Sequence, residues 1–173
     1  MKSLSISLFV VVLLLVVTGS VYAGYNCWTL GYFTDDFGER TKDTFIEIET
    51  EGVFSNSATP GDKLYVEVLV SKDGIDGKLA LIEYKKYRNP QYFIGGGYFK
   101  LKNSAGEVKQ YRLPHKWNQQ GAMWFNAGDF IKFMKKSVGQ VQCIAYDEYS
   151  SLYKFKLNAY GFTKAYNEMR SGE

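Results

Sequence analysis

The sequence has few of the side chains that bind metals or carry out redox chemistry. Its 173 residues include one histidine and two cysteines, whereas the common zinc sites need three or four Cys or His ligands. Positive charge is in slight excess, because 21 lysines and arginines oppose 18 aspartates and glutamates. The net charge of +3 is too small to indicate a nucleic-acid partner. The sequence therefore predicts no metal, no cofactor and no nucleic acid.

Proline is also scarce, with three residues, whereas 17% of the chain is aromatic. This composition is typical of a folded protein and argues against disorder. No linker rich in proline, glycine and serine divides the chain, so we expect a single domain after the N-terminal segment.

Long hydrophobic runs are missing except near the N terminus. Residues 4–17 are almost wholly aliphatic and follow Lys2, and small residues flank Tyr22 at the positions that a signal peptidase reads. The unbroken apolar run 8–17 is about half as long as the roughly 20 residues that a membrane-spanning helix needs. We therefore interpret residues 1–23 as a secretory signal peptide. This predicts that 24–173 is a secreted or periplasmic domain without a membrane span.

The two cysteines, Cys27 and Cys143, both belong to the predicted exported domain. Oxidising compartments favour disulfides. A bridge that closes a loop of roughly 100 residues or more contributes about 4 to 5 kcal/mol in the chain-entropy treatment. We expect a Cys27–Cys143 disulfide, and two reduced, buried thiols are the alternative.

Most of the chain alternates apolar and polar residues with a period of two. In 63–72 the residues Leu64, Val66, Val68 and Val70 share one face, and 78–87 follows a Gly/Asp turn as the second strand of a hairpin. Shorter strands are predicted at 28–33, 45–50, 53–55, 98–102, 108–113, 122–125, 141–147 and 152–158. About nine strands exceed the usual sheet. We therefore predict an all-β fold, a β-sandwich with a barrel as the alternative.

Two short helices interrupt the strand pattern. Asp129 is predicted to cap a helix in which Phe130, Phe133 and Met134 share a face. The second is predicted at 163–170. Helices this short depend on packing against the strands for their stability.

Acidic residues cluster at 35–39, with Asp43 close by. Calcium binds carboxylate and carbonyl oxygens, but this cluster lacks the alternate spacing of the twelve-residue calcium loop. We therefore interpret it as a tight turn at Gly38 with its acids facing water.

The segment 52–59 is rich in hydroxyl side chains. A catalytic serine needs a base within about 3 Å, so Ser55 or Ser57 would have to meet His115 and an acid such as Asp36. No Gly-x-Ser-x-Gly word surrounds either serine, and Gly95-Gly96-Gly97 lacks a phosphate-binding frame. We therefore predict no catalytic residues and a protein that is not an enzyme.

Aromatic side chains concentrate in the middle third of the chain, among basic residues. Exposed rings would form a platform for a sugar or a protein partner, and the alternative is that they fill the core and an outer sheet face. The residues predicted for binding are Tyr87, Tyr92, Tyr98, Trp117 and Trp124.

Two sequence words resemble a motif in exported bacterial proteins. They are Asp-Asp-Phe-Gly-x-x-Thr at 35–41 and Gly-x-Phe-Ser-Asn-Ser-Ala-Thr at 52–59. The C-terminal third is similar, more distantly, to invasion-associated locus B proteins. That resemblance rests on an amphipathic segment at 129–134, two strands, and Gly-Phe-x-x-Ala-Tyr at 161–166. Both resemblances imply an exported β-rich domain, and neither implies catalytic residues.

We expect a non-catalytic binding or interaction module of the bacterial cell envelope, whose partner is an unknown protein or glycan. The alternatives are a carbohydrate-binding module with an aromatic platform and an envelope polysaccharide hydrolase. The motif residues are expected to be structural, with Trp28 and the two phenylalanines in the core and with Asp36 and Asn56 bonding turn backbone groups. These residues are Trp28, Asp36, Phe37, Gly38, Phe54, Asn56 and Ser57.

Overall fold

A computed structural model of the chain describes residues 26–83, 90–91, 96–113, 123–147 and 151–172. The predicted signal peptide lies outside these ranges, so the export prediction stays a prediction. Among the described residues, the helices are too short or too polar to cross a membrane.

Ten strands and two helices make up the described chain. The strands are β1 (Thr29–Thr34), β2 (Arg40–Ser55), β3 (Pro60–Ser71), β4 (Asp76–Glu83), β5 (Pro90–Gln91), β6 (Gly97–Lys102), β7 (Val108–Leu113), β8 (Met123–Asn126), β9 (Gln140–Asp147) and β10 (Leu152–Asn158). The helices are α1 (Ala127–Lys136), which follows β8, and α2 (Phe162–Ser171), which follows β10.

The strands form one antiparallel sheet that curls into a nearly closed barrel. Their order is β5-β4-β3-β2-β10-β9-β6-β7, with β1 added to β2 and β8 added to β4. The sheet almost closes because β7 at one edge contacts β8 at the other. The predicted mostly-β fold with two short helices is confirmed, and the strands follow the barrel alternative rather than two stacked sheets.

The β3–β4 hairpin forms where the sequence predicts it. Leu64, Val66, Val68 and Val70 are at most 1% exposed, and the strands pair from Leu64↔Glu83 to Val70↔Gly77. The upstream segment differs, because β2 is one strand of 16 residues where the sequence predicts two short ones. Gly52 does not interrupt it, since β3 supplies pairing partners without a break from Phe45 to Phe54.

Both helices pack at the end of the barrel that carries the β3–β4 turn. Ala127 at the start of α1 donates its backbone N–H to the carbonyl oxygen of Ile75. Phe130 of α1 and Phe162 of α2 are fully buried and meet edge to face at 6.0 Å between ring centroids. The N-cap of α1 is Asn126, not Asp129 as predicted, because the Asn126 side chain is the group that accepts from the first helical turn.

Candidate functional site

Tyr98 is the predicted binding residue whose surroundings are described. It lies on the outer surface of β6 and stacks on Tyr146 of β9, with ring centroids 5.4 Å apart and planes inclined by 29°. The predicted residues Tyr87, Tyr92 and Trp117 and the side chain of Trp124 lie outside the described residues.

Lysines surround the outward side chains of β9 next to this tyrosine pair. Ile144 lies between Lys100 of β6 and Lys154 of β10 in the strand register, and Gln142 lies between Lys102 and Lys156 in the same way. The intervening residues Leu101, Cys143 and Phe155 are buried, so these lysines point outward. We call the set the four-lysine frame; its members are Lys100, Lys102, Lys154 and Lys156.

The dimensions of the frame follow from sheet geometry. Neighbouring strands lie about 4.8 Å apart, so the two lysine rows on either side of β9 are about 10 Å apart at their Cα atoms. Along each strand the two lysines are about 7 Å apart. The Lys100 ammonium also lies 5.2 Å from the centroid of the Tyr146 ring, a cation–π contact that joins the frame to the tyrosine pair.

On the outward side of β6, β7, β9 and β10 the charged residues are all basic. Arg112 of β7 pairs with Tyr98 in the register, and within β6, β7, β9 and β10 as described no outward position holds an aspartate or glutamate. In the described part of the chain, none of the four lysines forms an ion pair. Because like charges on neighbouring strands repel, this surface favours an anionic partner. We call the outward side of these four strands the basic face.

The adjacent outer surface of β2 and β3 has the opposite charge. Glu47 and Glu49 of β2 point outward, and Glu67 of β3 pairs with Glu49. The pKa of Glu47 is raised, first by partial burial and then by the charges of Glu49 and Glu67, while Lys78 opposes the shift. The outer surface of the barrel is therefore divided by charge, and the basic face ends where β2 begins.

An open pocket of about 580 Å³ lies at this boundary, between β2 and β10. The pairing of the two strands stops at Phe155↔Gly52, and beyond it the Thr50 hydroxyl donates to the carbonyl oxygen of Lys156 at 3.1 Å. Lys154 and Lys156 of the frame line one side of the pocket, with Gln140 and Gln142 beside them and Glu51 on the β2 side. The pocket is thus continuous with the basic face.

The turn between β1 and β2 is organised by Asp35. Its Oδ1 accepts from the backbone N–H groups of Phe37 and Glu39, both at 2.9 Å, and Gly38 adopts a left-handed φ of 81°. Two expectations are corrected here. Asp36 is exposed and is not the residue that bonds the turn, and Phe37 is 91% exposed because it sits at the tip of the turn rather than in the core.

The motif at 52–59 ends β2 and turns into β3. Phe54 is fully buried and stacks on Tyr153 at 6.3 Å between ring centroids. The Asn56 side chain accepts from the backbone N–H groups of Ala58 and Thr59 at 2.9 and 2.8 Å, whereas Ser57 is exposed. Trp28, the remaining motif residue, is buried against the two helices at 8% exposure.

The serine triad considered in the sequence is not assembled from the described residues. Ser55 ends β2 and its hydroxyl oxygen accepts from the backbone N–H of Gly61 at 3.0 Å, whereas Asp36 precedes the other end of the same strand. His115 lies outside the described residues. Because nearly the whole length of the 16-residue strand β2 separates them, at about 3.3 Å per residue, Ser55 and Asp36 do not share a site.

The predicted Cys27–Cys143 disulfide is absent, and both cysteines are free. Cys27 is exposed ahead of β1, whereas Cys143 faces the barrel interior from β9 and is 1% exposed. A disulfide needs Cβ atoms about 3.8 Å apart, but here one thiol faces water and the other faces the core. Burial also raises the pKa of Cys143 well above its usual range.

The described interior holds a directly bonded pair of polar side chains, which sequence reasoning missed. The Tyr153 hydroxyl donates to Oε1 of Glu83 at 2.7 Å, and the two residues are 3% and 9% exposed. Burial, followed by the bond to Glu83, raises the pKa of Tyr153. Alternation predicts that Tyr153 faces inward, but the partner lies 70 residues away, so no local signal identifies it.

Among the described residues, no three His, Cys, Asp or Glu side chains come together in a way that could hold a metal ion. Comparison of the chain with protein-family models, with curated proteins and with solved structures found no match. The resemblances read from the sequence therefore remain predictions.

Proposed function

We propose that this chain is a non-catalytic binding module of the bacterial cell envelope, and that it binds an anionic partner on the basic face. The observation that carries this proposal is the four-lysine frame, which surrounds Ile144 and Gln142 with positive charge and has no acidic neighbour on its own four strands. The export half of the proposal rests on the signal-like segment 1–23.

Electrostatics supports a binding role for the frame. Ammonium groups within about a Debye length of each other, roughly 8 to 10 Å, repel at physiological salt. An anion placed between the two rows relieves this repulsion and gains attraction from both sides. Rigid strands hold the Cα atoms of the four lysines in register, so binding has to order the lysine side chains but not the backbone.

The polar side chains of the sequence motif are hydrogen-bonded to turn backbone groups, which supports a non-catalytic role. The Ser55 hydroxyl oxygen and the Asn56 side chain bond the turn that leads into β3, and Asp35 bonds the turn before β2. These groups accept hydrogen bonds from backbone N–H groups, and they lie at opposite ends of β2. The hydrolase alternative thus has no assembled acid, base or nucleophile in its favour within the described ranges.

The test is sedimentation with an isolated envelope fraction. In the frame variant, all four frame lysines become glutamine. In the control variant the same charge is removed from exposed lysines elsewhere, namely Lys42, Lys132, Lys136 and Lys164. We expect the wild type and the control variant to sediment with the envelope, and the frame variant to lose roughly tenfold or more in affinity because several charge contacts vanish together.

Thermal unfolding of both variants checks that each remains folded. Equal sedimentation of the frame variant and the wild type would contradict the proposal, as would equal losses in the frame and control variants, since these would point to net charge alone.

A further inference from the structure

The immediate surroundings of the frame indicate what kind of anion it takes, an inference that rests on the proposed function. We propose that the basic face binds a carboxylated polysaccharide as a single extended chain lying along β9. The chain would pass over Tyr146, Ile144, Gln142 and Gln140, with the lysines of β6 on one side and those of β10 on the other.

We call the outward residues of β9 that lie between the two lysine pairs, from Tyr146 to Gln140, the track. Its width suits a single extended chain. The Cα rows of the two lysine pairs are about 10 Å apart, and the lysine stems themselves occupy part of that width. An α-helix with its side chains is about 10 to 12 Å across. It is therefore too wide to lie between the two lysine rows. From Tyr146 to Gln140 the track is about 20 Å long at 3.3 Å per residue, enough for several sugar units.

The side chains along the track match the groups of a carboxylated sugar chain. Lysine ammonium groups suit carboxylates, and the amides of Gln142 and Gln140 donate to and accept from hydroxyl groups. Ile144 is 36% exposed and supplies apolar surface for the C–H face of a sugar ring. Polyphosphate has neither hydroxyl groups nor apolar faces, so it would leave the middle of the track unused.

From Ile144 to Gln140 the track borders the pocket between β2 and β10, which also holds Glu51 on its β2 side. Gln140, Gln142 and Ile144 line this pocket together with Lys154 and Lys156, so the track and the pocket share their residues. With a volume of about 580 Å³, the pocket accommodates a bulkier terminal or branching sugar than the flat surface near Tyr146 does.

The test is calorimetric titration of the full-length protein with polygalacturonate, with neutral dextran and polyphosphate as comparison polymers. We expect polygalacturonate to bind the wild type and the control variant, and the frame variant to bind at least tenfold more weakly. Dextran should not bind, and polyphosphate should bind more weakly than polygalacturonate. Raising the salt concentration should weaken the polygalacturonate complex.

The path of the chain is tested by moving one negative charge. Ile144→Glu places a carboxylate at the centre of the frame, whereas Ile75→Glu makes the same substitution at an exposed residue of the β3–β4 turn, away from the basic face. A chain lying along β9 requires at least a tenfold loss with Ile144→Glu and little change with Ile75→Glu. Equal effects of the two substitutions would overturn the proposed path.

The outcomes separate this inference from the proposed function. If the envelope fraction binds in a frame-dependent manner but polygalacturonate does not, or if polyphosphate binds more tightly, the sugar assignment is wrong and the binding role stands. If the frame variant binds the envelope as the wild type does, the proposed function itself fails.

Discussion

Trp28 Nε1 donates a hydrogen bond of 2.7 Å to the carbonyl oxygen of Asn158, 130 residues further along the chain. The Asn26 side chain accepts from the backbone N–H of the same Asn158 at 3.2 Å. Both bonds lie where the pairing of β10 with β2 has already ended at Phe155↔Gly52. The segment that precedes β1 therefore satisfies backbone groups of β10 that β2 leaves unpaired, and it anchors the end of the barrel where the helices pack.

Trp28→Phe tests the contribution of this bond. The substitution keeps an aromatic ring against Phe162 but leaves the carbonyl oxygen of Asn158 without its donor, so we expect a loss of about 1 to 2 kcal/mol in the free energy of unfolding. Trp28→Ala also removes the ring, and it should cost about 3 to 5 kcal/mol. Urea denaturation measures both. Unfolding midpoints for Trp28→Phe and the wild type that coincide would show that the bond contributes nothing.

Adjacent aspartates in the β1–β2 turn should differ in their effect on stability. Asp35→Ala removes the acceptor of two backbone N–H groups, so we expect the Tm to fall by about 2 to 4 °C. Asp36→Ala is the matched control, because Asp36 is exposed, and it should leave the Tm nearly unchanged. A larger loss with Asp36→Ala would reverse the assignment of the turn acceptor.

Gly52 and Gly128 should respond oppositely to alanine. A methyl group at Gly52 would overlap the carbonyl oxygen of Lys154 and lie 2.7 Å from Cβ of Phe155, so we expect a loss of about 1 to 3 kcal/mol from overpacking. At Gly128 in α1 the nearest atom is 3.4 Å away, and alanine should gain up to about 1 kcal/mol from helix propensity. Chemical denaturation distinguishes the two, and tolerance of Gly52→Ala would mean that β10 can move away from β2.

The two thiols should label in two steps. In the native protein we expect an alkylating reagent to modify exposed Cys27 and to spare Cys143, since burial raises the pKa of the Cys143 thiol and blocks access to it. In denaturant without reductant both should be modified, which mass spectrometry counts directly. If neither cysteine is labelled in denaturant, the two cysteines form the disulfide that the sequence predicted.

The strands were predictable where the information is local. Alternation from Leu64 to Val70 and the Gly/Asp turn after it define the β3–β4 hairpin without knowledge of any distant residue. The four-lysine frame was not predictable, because it exists only when β6 and β10 both pair with β9. Each strand on its own has an ordinary solvated face, and the charge pattern arises from the strand order.

Local errors have equally specific physical causes. The motif word around Gly38 predicts a turn, yet it does not say which aspartate reaches back to the backbone or that Phe37 lies at the exposed tip. At α1 both Asn126 and Asp129 are good capping residues. The end of β8 places Asn126 at the cap, while Asp129 forms an ion pair with Lys109 at 2.7 Å, which lowers the pKa of Asp129.

Tyr153 makes a contribution to the stability of the barrel that is lost at alkaline pH. Burial, and then its hydrogen bond to Glu83, raise the pKa of Tyr153 above the ordinary value of 10.0, so the folded protein keeps a proton that the unfolded chain releases. The contribution is therefore complete below pH 10 and is lost as the pH rises further, at up to about 1.4 kcal/mol per pH unit.

Tyr153→Phe removes this group, so the free energy of unfolding of the variant should fall less steeply above pH 10 than that of the wild type. Tyr160→Phe, at a residue that is 76% exposed, is the matched control. Urea titrations across this pH range measure the slopes, and equal slopes for wild type and Tyr153→Phe would show that the buried hydroxyl does not control alkaline unfolding.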